Sequence, residues 1–182
     1  MVFNEKEITL NDGRKCTLRP VRKEDAADMI EYLRIVSGET PFLLRNADEV
    51  TYTIESEENI LENKRNAPRE LMMIAEVDGI IAGNCGIVTH GELRRVRHRC
   101  GFAIAIKQQF CDAGLGTAMM EYALSLAKEM GYEQVELSVV DGNARAKHLY
   151  EKMGFVEMGK TLRSLKYDDG TYRDETCMVK VF

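Results

Sequence analysis

The sequence predicts a mixed α/β fold with mostly antiparallel strands and one strand–helix–strand crossover. Three observations carry this. Turn signals at Asp12-Gly13, Asp78-Gly79 and Asp168-Asp169-Gly170 each separate two strand-like runs, as in a hairpin. Other segments repeat their apolar residues at intervals of three and four, which is the helical period. One of these, Leu115 to Met130, leads from one strand-like run into another with no hairpin signal between them.

Taken in order, "EITLNDGRKCTLRPV" reads as a hairpin around Asp12-Gly13. Glu24 to Val36 carries Ala27, Ile30, Leu33 and Val36 on one helical face, and a second, weaker helix runs from about Ser56 to Lys64, ahead of Pro68. The segment between them, "SGETPFLLRNADEVTYTI", is rich in turn formers. "ELMMIAEVDGIIAGNCGIVTH" gives two strands around Asp78-Gly79, and "RHRCGFAIAI" a third. Leu115, Met119, Tyr122, Leu126 and Met130 then form a helix that Gly131 closes, since glycine takes the left-handed terminal position without strain. "QVELSVV" is a strand with Val135, Leu137 and Val139 on one face; a helix from Asn143 carries Ala146, Leu149, Tyr150 and Met153 up to Gly154. Two long strands end the chain, the last being "ETCMVKVF", which is read as an edge that could pair with a second copy to make a homodimer.

Composition narrows the function classes. A chain of 182 residues, 45% hydrophobic and 30% charged, is expected to fold as a single domain over residues 1–182 with no help from metal or disulfides. Its five cysteines are scattered and include no CxxC pair, so they read as free thiols and no metal site is expected. A net charge of -5 argues against nucleic acid as a general partner, and the basic run Leu93 to Arg99 reads as a charged loop or the start of an edge strand. No apolar run approaches the roughly 20 residues of a membrane span, and "MVFNEKEITLNDGRK" lacks the basic start and apolar centre of a leader. The expected setting is the cytoplasm, away from membranes.

Two glycines at the entrance of the helix that follows "RHRCGFAIAI" need a reason. Gly114 and Gly116 sit in the first turn, where glycine costs stability and no cap calls for two of them. Bare backbone at a helix N-terminus lets a phosphate approach unpaired N–H groups and the positive end of the helix dipole, although close packing against a neighbouring strand would select the same residues. The familiar phosphate loops do not fit: no lysine follows Gly116, and Met119 occupies the third position of a dinucleotide fingerprint.

With "NARAKHLYEKMGF" downstream, "GLGTAMM" resembles the GNAT superfamily of acyl-CoA N-acyltransferases. That family's hallmark is a Q/R-x-x-G-x-G/A loop after its fourth strand, then a strand and an N-x-x-A-x-x-L-Y-x-x-x-G-F segment. The second part matches throughout from Asn143 to Phe155. In the first, Gly114 and Gly116 fill the glycine positions while Cys111 stands where Gln or Arg is usual. The motifs lie within Arg97 to Phe155, and the order of elements agrees over nearly the whole chain.

The resemblance implies a GNAT fold with about seven strands and about four helices, splayed between the fourth strand, Arg97 to Ile106, and the fifth. It also implies acetyl-CoA as cosubstrate. The pyrophosphate would rest on the N–H groups of Asp112, Ala113, Gly114, Leu115, Gly116 and Thr117, and the pantetheine arm would pair with Ile104, Ala105 and Ile106. Asn143 would cap its helix and lie against the arm. Tyr150 matches the family's general acid, placed to protonate the departing thiolate. The base is left between His98, whose ordinary pKa of about 6.5 suits the task, and Glu92 in the turn before the strand; His90 and His148 have weaker cases, and a water chain is the alternative. Gly101 is read as a bend in the strand or a packing glycine.

The implied reaction is attack of a primary amine, on a small molecule or a peptide, on the thioester carbonyl. The acceptor is expected between the Ser37 to Tyr52 loop, the His90 to Arg97 turn and the final hairpin, where Glu39, Asp48 and Glu49 would favour an ammonium and Arg94, Arg95 and Arg97 an acid. Cys111 and the absence of a carboxylate from "VRHRCGFAIAI" keep a non-catalytic acyl-CoA-binding module or sensor as the alternative.

Overall fold

The computed structural model describes all of residues 1–182. Eight strands form one sheet, one more than the sequence led us to expect: β1 (Lys6–Thr9), β2 (Lys15–Pro20), β3 (Leu71–Val77), β4 (Ile80–Thr89), β5 (Arg99–Ile106), β6 (Gln134–Val140), β7 (Val156–Lys166) and β8 (Tyr172–Val181). Counting both strands of the N-terminal hairpin makes the strand that precedes the glycines the fifth, so the splay falls between the fifth and sixth strands of this chain. The four helices are α1 (Ala26–Glu39), α2 (Ile54–Asn66), α3 (Leu115–Glu129) and α4 (Ala144–Lys152). No helix is long and apolar enough to cross a membrane.

Strand order is β1-β2-β3-β4-β5-β6-β8-β7, with every neighbouring pair antiparallel except β5–β6. The parallel pair is the product of the α3 crossover, which a parallel connection requires. The last strand departs from expectation. Although the hairpin of β7 and β8 was read as ending on an edge, β8 returns between β6 and β7, pairing Glu136 with Val179 and Ser138 with Cys177. The edge is β7, whose pairing with β8 shifts register between Glu157 and Gly159 and again between Thr161 and Leu165.

Alternation along the strands divides the core in two. Cys100 and Phe102 of β5, Val135, Leu137 and Val139 of β6, and Leu115, Met119 and Ala123 of α3 share one buried cluster, with Ile104 and Ile106 packed against it. On the other face Met29, Tyr32 and Val36 of α1 meet Leu61 of α2 and Ile74 of β3, and Ala105 packs there. Helix α2 begins two residues earlier than its apolar period suggests because the Thr53 side chain accepts from Ser56 N at 3.1 Å, capping the first turn.

Candidate active site

The site begins where the sheet fails to close. Strands β5 and β6 pair at only three positions, Arg99–Gln134, Cys100–Val135 and Gly101–Glu136. From Phe102 onward, about 16 Å of strand, β5 has no partner on that side. The ladder to β4 fixes which groups are left over. Lys107 N donates to Ala82 O at 2.9 Å and His90 N to Arg99 O at 3.4 Å, and the register between them is unbroken. Odd-numbered residues therefore direct their N–H and C=O at β4, and Phe102, Ile104 and Ile106 direct theirs into the gap. Ala105 falls on the wrong parity: its carbonyl faces β4 and also accepts from the Tyr32 hydroxyl at 2.7 Å. Of the three residues assigned to the arm from sequence, two present backbone to the gap.

At the wide end of the gap lies the α3 entrance. None of the backbone N–H groups from Asp112 to Thr117 has an acceptor in the protein; the first helical bond is Ala118 N to Gly114 O at 3.1 Å. Six consecutive free donors at a helix N-terminus form a concentrated anion site. Gly114 adopts φ +82°, a left-handed conformation that glycine takes without strain. Gly116 has a different reason. A β-carbon there would lie 3.1 Å from Leu149 Cδ2 on α4 and 3.4 Å from Ile106 Cδ1 on β5. Close packing thus favours a small residue at the second position, whatever binds in front of it.

Asp112 is the awkward member, a carboxylate beside a proposed anion site, with φ +61°. Its side chain is exposed and pairs with Arg145 Nη1 of α4 at 3.2 Å. The carboxylate therefore points outward, and the arrangement brings a guanidinium to the rim of the loop. Cys111 supplies no such charge. Burial pushes its thiol pKa up, and its Sγ lies 3.7 Å from Lys107 O and 3.9 Å from Ile106 O.

Helix α4 flanks the gap. Asn143 accepts from Ala146 N at 3.2 Å, capping the helix as its position predicts and leaving its amide N–H groups free of that bond. Tyr150 is buried in the cluster that contains Phe102 and Leu137. Its hydroxyl forms no hydrogen bond within the protein, and burial pushes its pKa up to about 12. No fully enclosed side-chain polar atom in the structure lacks a partner, so this oxygen must reach space that a solvent or ligand atom can enter.

The two candidate bases from sequence lie elsewhere. His98 lines a surface depression with Arg69, Arg94, Arg97, Met130, Gly131 and Glu133, at the C-terminal end of α3. That helix of 15 residues is about 22 Å long, so His98 and the free N–H groups are at opposite ends of it. Glu92 is exposed and paired with Arg69 Nη1 at 3.2 Å. Neither side chain is brought to the unpaired stretch of β5.

A different polar group stands at the closed end of the gap, on the face that carries α1. Glu136, partner of Gly101, is held by Arg99 through Nε at 2.5 Å and Nη2 at 2.8 Å, and by Gln134 Nε2 at 2.7 Å. These contacts, the Arg99 hydrogen bonds first, hold its carboxyl below the usual range. His90 Nε2 lies 3.4 Å from Glu136 Oε2. A scan along the chain misses this cluster because it joins β4, β5 and β6, and only the pairing register brings the three together. The single hint was the alternation of "QVELSVV", which puts Glu136 opposite the apolar face.

The expected acceptor region is partly assembled. The Tyr167 hydroxyl donates to Pro41 O at 2.8 Å, and the Arg173 guanidinium lies 5.3 Å from the Phe42 ring and 5.1 Å from that of Tyr167, so the loop after α1 meets the final hairpin. Two carboxylates assigned to the acceptor are already engaged: Glu39 accepts from Gln108 N and Glu49 from Asn46 N, both at 2.7 Å.

Comparison with known proteins agrees with this geometry. Residues 38–155 match the model of the acetyltransferase (GNAT) family. An N-alpha-acetyltransferase of Sulfurisphaera tokodaii is 34% identical over 105 residues, which span 53% of this chain and 62% of that relative. Among solved structures, a GNAT-family acetyltransferase from Streptococcus pneumoniae superposes with a TM-score of 0.86 at 30% identity, over 92% of this chain and 99% of its own. The yncA protein of Salmonella typhimurium, solved with its cofactor acetyl-CoA, has the same fold at 17% identity, with a TM-score of 0.78 over 91% of this chain and 93% of its own.

Proposed function

The chain belongs to the acetyltransferase (GNAT) family, and on that premise we propose that it transfers an acetyl group from acetyl-CoA to a primary amine, with residues 1–182 acting as one cytoplasmic transferase domain. The observation that carries this reading is the run of six free N–H groups from Asp112 to Thr117 at the mouth of the β5–β6 gap. Acetyl-CoA supplies the activated acyl carbon. The six donors would hold its pyrophosphate, while Phe102, Ile104 and Ile106 offer unpaired backbone to the arm in the manner of a missing strand.

Holding amine and thioester together removes much of the entropic barrier to their reaction. A gap-facing N–H of β5 directed at the thioester oxygen would stabilise the charge that develops there. Tyr150 would donate its hydroxyl proton to the departing sulfur. With a pKa of about 12, the hydroxyl remains protonated at neutral pH and is available as an acid. Asn143 would contribute its free amide N–H groups beside the arm.

The acceptor is a small-molecule or peptide amine. The name of the Sulfurisphaera relative favours an amine at an α position, and no metal is required by this chemistry. The binding-module alternative drew on the lack of a carboxylate in the fifth strand, and Glu136 of the sixth weakens that support. The test is a thermal shift with acetyl-CoA and CoA beside ATP and NAD, then thiol release on adding amines. Acetyl-CoA at a hundred times its dissociation constant should add about 2.7 kcal/mol. Absence of any shift with either CoA species would remove the reading; a shift without amine-dependent thiol release would favour the module.

A further inference from the structure

We propose that His90, positioned by Glu136, accepts the proton lost by the attacking amine. This rests on the transferase reading above and adds the base that reading lacks. The geometry points to it in three ways. First, β5–β6 pairing closes at Gly101–Glu136, so an arm entering the gap from the cradle ends beside these residues. Second, His90 leans over that point: a β-carbon on Gly101 would lie 3.9 Å from its Cε1. Gly101 has no side chain and the next residue on its face, Ala103, is exposed, so no bulky side chain of β5 covers the end of the gap on the α1 face. Third, Glu136 is charged and fixed, with 14% of its side chain exposed against 38% for His90. The imidazole is thus the member that meets an incoming amine.

The charged group facing the pair is Arg99 from β5; Gln134 flanks it on β6, and β8 and β4 present Val179 and Val88. Arg99 is neutralised by its bidentate contact with Glu136. The 3.4 Å separation of His90 and Glu136 needs to shorten by about half an ångström to become a good hydrogen bond, as is common when a site fills. Nε2–H then points at the carboxylate and Nδ1 keeps its lone pair. The steps balance as follows. The amine nitrogen bonds to the acyl carbon as its C–S bond breaks; the N–H proton passes to Nδ1 and from the imidazolium to water, while the sulfur takes the Tyr150 proton, which water replaces. Glu136 is a positioning residue that orients the imidazole ring.

The experiment is the pH dependence of kcat/KM for thiol release from acetyl-CoA, with alaninamide, an alanine-initiated dipeptide and spermidine as amine probes. The native protein should lose activity toward low pH more steeply than protonation of the amine probe alone gives, because the base protonates as well. His90→Gln should lower neutral-pH activity about 10²-fold and leave only the shallower fall that the amine probe's own protonation imposes. Glu136→Gln should keep the steeper limb and lower kcat severalfold with KM for acetyl-CoA unchanged, a split that loss of a merely structural contact would not produce. Acetyl-CoA should stabilise both variants as it does the native protein, which shows that they are folded. An acid limb unchanged in His90→Gln overturns the proposal and leaves the transferase reading standing. A native protein that binds acetyl-CoA and releases no thiol with any probe overturns both.

Discussion

Gly116, in the first turn of α3, and Leu149, in α4, are packed so closely that a β-carbon on the glycine would come within 3.1 Å of the leucine Cδ2. The contact ties the helix that offers the free N–H groups to the helix that carries Tyr150. Gly116→Ala should be nearly neutral, because the leucine tip can yield a few tenths of an ångström and alanine gains about 0.5–1 kcal/mol in a helix. Gly116→Val adds branches that cannot be absorbed in the same way. It should weaken acetyl-CoA binding tenfold or more, measured by calorimetry, and lower Tm.

Tyr150→Phe removes the unpaired hydroxyl and leaves the packing with Phe155, whose ring lies 6.2 Å away. Turnover should fall by about 10²-fold while the acetyl-CoA thermal shift persists. Native turnover in this variant would remove the acid role.

The exposed Arg145–Asp112 pair adds little stability, as is usual for exposed pairs. Its effect should appear in binding. Arg145→Ala leaves the Asp112 carboxylate uncompensated beside the phosphate cradle and should raise the acetyl-CoA dissociation constant severalfold with Tm nearly unchanged. Asp112→Asn in the same chain should restore part of the affinity, and a double-mutant cycle by calorimetry measures the coupling.

Glu57, in α2, is 2% exposed and its carboxylate forms no hydrogen bond; burial raises its pKa. A carboxyl raised in the folded state is most compatible with folding when protonated, so its contribution is fully present below the unfolded-state pKa and is lost as pH rises through the folded value. Glu57→Gln should therefore stabilise the protein at neutral pH, and its advantage in Tm over the native chain should shrink as pH falls below the ordinary carboxylate range. Thermal melts between pH 4 and 8 check this.

Much of the architecture was legible because punctuation residues mark it. Asp-Gly turns located three hairpins, and Gly131 and Gly154 marked helix ends. Asn143 to Phe155 gave the helix that flanks the gap. What local pattern cannot carry is register. That β8 rather than β7 sits inside the sheet depends on which strand meets β6, and both are long. Ile104, Ala105 and Ile106 look equivalent in sequence, yet parity against β4 gives the middle one's hydrogen bonds to the ladder and to Tyr32. His98 adjoins β5 in sequence but lines the far end of α3; His90 and Glu136, 46 positions apart in the chain, meet only through two strand pairings.

Three paired positions are also a mechanical statement. The strands form two plates, β1 to β5 and β6-β8-β7, joined in the plane of the sheet by a short seam at Gly101–Glu136 and its two neighbours. The α3 crossover is the strap that keeps them aligned. Such a joint can breathe, and a molecule bonded along both lips of the gap would weld the plates into one continuous surface, coupling occupancy to the stiffness of the whole sheet.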